Sequence, residues 1–211
     1  ALSAIKLLFG LSMHAQPHLH DKDESQNIDS LLIRLAVPIT HADKFGKLVI
    51  QDLGGRMKPA NTFASELIRK VSKSDTYQSL NADQVLLSIH QNPLLWYQVP
   101  FIYLKRGNDS LRSIAGVDEK AKYASFVDFF DKSGNYKLAQ PLEGAYKAAN
   151  PNQFQKDFIE TDRRINLLYS ALEGKVLRIF PVPESENDKW VSFHEATDYP
   201  FEGVDSLYVA N

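Results

Sequence analysis

The chain has 211 residues and an apolar content of 44%, enough for a sizeable core, and 24 Lys and Arg stand against 26 Asp and Glu for a net charge of −2. This balance, with no long run of one sign, lacks the basic footprint of a nucleic-acid groove and excludes that partner class. The absence of cysteine excludes disulfides, a thiol nucleophile, thiolate metal sites and covalent haem attachment to this chain.

The first segment, ALSAIKLLFGLSMHA (1–15), is apolar with one Lys and is shorter than the roughly 20 residues of a spanning helix. It reads either as a signal-like segment, with Ala15 as the small residue before Gln16, or as the stub of a truncated membrane helix. Residues 16–29 read as a polar linker, and 30–211 as a single soluble extracytoplasmic domain. SLLIRLAVPI (30–39) is a short apolar helix stopped by Pro38. KLVIQDL (47–53) is the first clear strand, ended by Gly54 and Gly55. A helix follows with Asn61 or Thr62 as N-cap, Phe63, Leu67 and Val71 on one face, and a Glu66–Lys70 pair. Arg69, Lys70 and Lys73 suit the negative end of its dipole.

NADQVLLSIHQNP (81–93) opens with Asn81 and Gln84 in a capping-box spacing and stops at Pro93. VPFIYLK (99–105) reads as a strand that turns at Gly107 and Asn108, and helices are expected around 118–131 and 138–149. The clearest helix is 152–173, with Phe154, Phe158, Ile165, Leu168, Tyr169 and Leu172 in one stripe closed by Gly174. KVLRIFPVP (175–183) is a strand, and WVSFHEA (190–196) a strand or helix start. No internal repeat is present. The pattern predicts an α+β fold, predominantly helical with a few short strands.

Candidate chemistry is sparse. HAQPHLHDKD gathers His14, His18 and His20 with Asp21 and Asp23, donors suited to Zn or Cu. A flexible arm supplies no fixed geometry or supporting shell, so no metal site is assigned. His41, His90 and His194 are candidates for a haem-iron ligand, against the ordinary reading of a lone His as structural or exposed. Trp96, Tyr97, Phe101 and Tyr103 are expected in the core rather than in an exposed ligand patch. Asp157, Glu160 and Asp162 read as the solvated face of the long helix. GxSxG, HExxH, Walker A and Rossmann patterns are absent, and no catalytic residue is assigned.

The junction GGRMKPANTFASELIRK (54–70) joins a strand to a helix N-terminus and places two cations there. Cations are unfavourable at that end of a helix unless something negative stands between them. One reading is an anion or partner site formed by Arg56, Lys58, Asn61 and Thr62, bridged by a carboxylate. That carboxylate is either internal, such as Asp52, or a partner's, or a haem propionate. The plainer reading is a turn with both cations in water.

The run HADKFGKLVIQDLGGRMKPANTFASELIRKVSKSDTY (41–77) resembles the system II cytochrome c biogenesis proteins, in particular the fused haem exporter and synthase of the CcsBA or ResB–ResC type. The resemblance continues through 81–112, 152–183 and 189–193, with GGRxKPxNTxAxExxRK as its specific part. It implies an extracytoplasmic domain of a membrane-bound machine that exports haem and attaches it to CxxCH thiols. Apocytochrome c and membrane parts of the same synthase are the implied partners, and haem is the implied cofactor of the parent complex. No cofactor is expected in the isolated domain. The family's Trp-rich WWD segment and membrane-helix histidines match no position here, and Trp96 and Trp190 stand alone. A structural or docking role therefore stands beside an alternative, an independent exported binding module for a small anionic ligand.

Overall fold

A computed structural model describes residues 22–183, 185 and 188–197. The expected signal-like segment, with His14, His18, His20 and Asp21, lies outside the described residues. The fold is α+β with a helical majority, as the sequence predicts. Its first elements are α1 (Lys22–Leu35), α2 (Ile39–Gly46), β1 (Val49–Gln51), β2 (Met57–Pro59) and α3 (Ala60–Ser72). A small hairpin, β3 (Thr76–Tyr77) and β4 (Leu80–Asn81), leads into α4 (Ala82–Gln91) and α5 (Pro93–Trp96). Then come β5 (Ile102–Tyr103), α6 (Asp109–Ala115), β6 (Tyr123–Ala124) and a 3-10 turn at Val127–Phe129. The chain continues through α7 (Ala139–Lys147), α8 (Gln153–Leu172), β7 (Arg178–Pro181), β8 (Trp190–Ser192) and α9 (Phe193–Thr197).

One connected apolar core joins Phe63, Leu67, Ile68 and Val71 of α3, Val85, Leu86 and Ile89 of α4, and Phe158, Ile165 and Leu168 of α8. Local chemistry starts the latter two helices. Asn81 and Gln84 exchange side-chain and backbone bonds at α4 (2.9 and 3.2 Å), and Asn152 and Gln155 do the same at α8 (both 2.9 Å). Each reciprocal box satisfies two amides that the helix leaves without partners. Gly174, at φ +69°, closes α8 while the amide of Lys175 turns back to the carbonyl of Ser170 (2.9 Å). Against the helices lies an antiparallel sheet in the order β2-β1-β7-β8. Among the described residues no helix is long and apolar enough to cross a membrane.

The structure corrects several local expectations. Helix α1 begins at Lys22, inside the stretch read as linker, because Ile28 and Leu32, one turn apart, pack on the core and Asp29 accepts the hydroxyl of Tyr77. The 118–131 helix is absent. The Asn108 side chain caps the amide of Leu111 (3.1 Å) and Gly116, at φ +78°, ends α6, so the helix forms upstream and Tyr123–Ala124 pairs with β5 instead. The first strand is shorter than 47–53, since the amides of Lys47 and Leu48 turn back to Lys44 and Phe45. The aromatic stretch is core: Trp96 and Phe101 are buried and meet edge to face at 5.2 Å, with Tyr77 against both.

Candidate functional site

The strand-to-helix junction is organised by Asp52. Its Oδ1 accepts the amides of Gly54 (2.8 Å) and Arg56 (3.0 Å), and Gly55, at φ +82°, makes the turn that a side chain would strain. Its Oδ2 meets Lys58 Nζ at 2.8 Å, and the same ammonium donates to Glu66 Oε2 at 2.9 Å. Lys58, followed by the turn amides, holds the Asp52 carboxyl at about 2, well below its ordinary range. Glu66 thus pairs with Lys58 across the junction and not with Lys70, because β2 runs straight into α3 and brings the ammonium alongside the first turns.

Asn61 and Thr62 do not cap α3. The helix begins at Ala60 behind Pro59, and the Ala60 amide donates to Leu48 O at 2.8 Å, so a strand carbonyl takes the place of a side-chain cap. Arg56 is exposed and has no side-chain partner among the described residues. The geometry separates the two cations: Lys58 belongs to an internal network, and Arg56 takes no part in it among the described residues. Arg56→Ala should change the unfolding free energy measured by urea denaturation by less than about 0.5 kcal/mol, while Lys58→Ala should cost about 1 kcal/mol as a small charge network is broken. Equal effects of the two substitutions would contradict this division.

Asn61 and Thr62 line an open cleft of about 480 Å³ between the first turns of α3 and α4, together with Ser65, Arg69, Asp75 and Asp83. Hydroxyls, amides and one guanidinium face two carboxylates, a surface suited to hydrogen bonding rather than to nucleophilic chemistry. Its wall is tightly built. A Cβ on Gly46 would meet Asp83 Oδ2 at 2.6 Å and Asn61 Cβ at 3.1 Å, so a larger residue there would displace the Asp83 side chain. Burial, and then the neighbouring Asp43, push the Asp83 carboxyl above its ordinary range.

The three candidate histidines occupy separate helices. His41 lies on the exposed side of α2, within a helix rather than a turn, and His194 is exposed on α9. His90 is half-buried on α4. Its Nδ1 donates to Leu86 O at 2.8 Å, leaving Nε2 as a buried lone pair without a hydrogen-bond partner among the described residues. Burial lowers its proton affinity, opposed by that backbone bond. The unfolded chain then binds the extra proton first, so stability contributed by neutral His90 is lost as pH falls from about 6.5 toward the lower folded value. Wild-type protein should show a falling urea midpoint over this window, and His90→Gln should flatten it. An unchanged slope in the variant would assign the dependence elsewhere. Among the described residues no group of three or more His, Asp or Glu is placed to hold a metal ion.

Two of the three carboxylates of α8 are a correction: Asp157 and Asp162 are buried, whereas Glu160 stays on the exposed face as expected, paired with Arg164 at 2.7 Å. Asp162 accepts the hydroxyls of Tyr136 and Tyr146, both at 2.9 Å, while Asp157 meets Lys105 at 3.1 Å. The signal was present: Asp162 falls four residues after Phe158 and three before Ile165, on the buried stripe itself.

No protein-family model matches the chain. The chain is similar to Protein NrfI of Wolinella succinogenes, 31% identical over 154 residues that make up 72% of this chain and 17% of that protein. It therefore corresponds to about a sixth of the relative's length.

Proposed function

We propose that this chain is an extracytoplasmic domain of a membrane-bound cytochrome c biogenesis protein of the system II type, at the outer face of the cytoplasmic membrane. Its role there is structural or docking, holding apocytochrome c or other parts of the synthase in place while haem is attached elsewhere in the parent protein. The observation that carries this reading is the 154-residue similarity to NrfI, which supports a role in cytochrome c maturation. The GGRxKPxNTxAxExxRK junction, whose resemblance points to the same machinery, is also the segment that builds the Asp52–Lys58–Glu66 network and one wall of the cleft. A polar cleft whose lining offers both hydrogen-bond donors and acceptors fits the recognition of a polypeptide, whose backbone offers both.

Replacing residues 27–197 of the parent protein by a flexible linker tests this. A reporter c-type cytochrome should then lose covalent haem, detected by haem staining, while the membrane-embedded remainder is still produced. Undiminished haem attachment would overturn the reading and leave an independent exported binding module for a small anion as the better account.

A further inference from the structure

We propose that the contact between the end of α2 and the first turn of α4 is an acid-tightened latch. Protonation of Asp83 closes it, and ionisation of Asp83 beside Asp43 loosens it. The latch lies on the wall of the cleft that Asp83 lines, and its working does not depend on what the cleft binds. Packing places this carboxylate where water cannot serve it. Asp83 is the second residue of α4, and the reciprocal cap between Asn81 and Gln84 leaves its side chain unused. That side chain meets α2, where Oδ2 sits so close to Gly46 that an added Cβ would lie 2.6 Å from it. Oδ1 is shut off from solvent and has no hydrogen-bond partner among the described residues. A buried carboxylate oxygen without a donor is costly when ionised and far less so when protonated.

The surrounding charges do not relieve that cost. On α2, His41, Lys44 and Lys47 are exposed and make no bond to Asp83, while Asp43 adds a like charge beside it. On α3, Arg69 lines the same cleft without pairing with Asp83, and Asp75 in the loop after α3 is a further acid. The β3–β4 hairpin contributes only the uncharged Thr76 and Asn81 there. The positive end of the α4 dipole alone favours the ionised form. Burial, followed by Asp43, outweighs it and raises the proton affinity of Asp83. The folded protein therefore holds this proton more tightly than the unfolded chain, whose carboxyl titrates at its ordinary 3.8. Stability from the contact is complete below that value and is lost as pH rises through the higher folded value.

Hydrogen exchange of the α2 amides from Ala42 to Gly46 tests the latch in the full chain, between pH 7 and about 4 and corrected for intrinsic rates. In the wild type their protection should rise severalfold as pH falls. Asp83→Asn should keep high protection throughout, since a neutral side chain of the same shape holds the contact closed. Gly46→Ala should keep low protection throughout, because the added Cβ displaces the carboxylate and ends its response. Asp43→Asn should move the wild-type rise to lower pH by removing the like charge. His90 is present in all four proteins, so differences between their profiles report Asp83. An Asp83→Asn profile that follows the wild type, a Gly46→Ala profile with the full rise, or an unmoved Asp43→Asn profile would overturn the proposal.

Discussion

Trp96→Ala should lower the unfolding free energy by about 4 kcal/mol, measured by urea denaturation. The side chain is fully buried and stands at the centre of a three-ring cluster, 5.1 Å from Tyr77 and 5.2 Å from Phe101 between centroids. Tilted and edge-to-face contacts of this kind add to the value of the buried area. The indole N–H also donates to Ser88 Oγ at 3.0 Å, and Ser88 is itself buried on α4. Alanine would leave both a large cavity and a buried hydroxyl deprived of its donor. Trp96→Phe keeps most of the apolar volume and loses the hydrogen bond, so it should cost roughly half as much. A loss below about 1 kcal/mol for the alanine variant would mean that the cluster collapses without penalty. In cells the same substitution should reduce abundance, since a loss of this size enlarges the unfolded fraction that proteases remove.

Arg112→Ala should cost about 3 kcal/mol or more, for a different reason. The guanidinium is buried, and among the described residues it is held by carbonyls rather than a carboxylate. It donates to Ala121 O and Lys105 O at 3.0 Å and to Asn108 O at 3.1 Å, with a weaker approach to Leu104 O at 3.5 Å. These carbonyls belong to two stretches, 104–108 and the segment before β6, so one side chain fixes the irregular chain on both sides of α6. Arg112→Lys keeps the charge but loses the planar fork that reaches several acceptors, and should recover less than half of the loss. Full recovery by lysine would assign the effect to charge alone.

The helices were the legible part of the chain. Every signal that fixes α4 and α8 lies within a few residues of where it acts: Asn81 with Gln84, Asn152 with Gln155, the apolar stripe from Phe158 to Leu172, and the left-handed Gly174. A helix closes its hydrogen bonds four residues away, so sequence alone carries its start, its end and its buried face. The same local logic named Phe63, Leu67 and Val71 as one buried row. It failed at α6, where a single Asn cap and a glycine outweighed a longer helical-looking run that was recruited into a strand pair.

The sequence by itself thus determined the helical majority and the capped ends of α4 and α8. Tertiary structure alone decided what the polar groups do. Lys58 finds Asp52 and Glu66 and not a water shell; Asp162 collects hydroxyls from Tyr136 and Tyr146, 26 and 16 residues upstream; and Gln51 bonds across 137 residues to Asp188. The sheet has the same origin, since β1 acquires β7 as a neighbour only when the two ends of the described chain meet. A strand's partner and a buried carboxylate's donors come from wherever the fold brings another segment, and their spacing in sequence obeys no period. The exposed face of the β1–β2 hairpin is decided in the same way: Val49 and Met57 become one surface because the turn at Asp52 pairs their strands, and they stay open because no other described segment covers them.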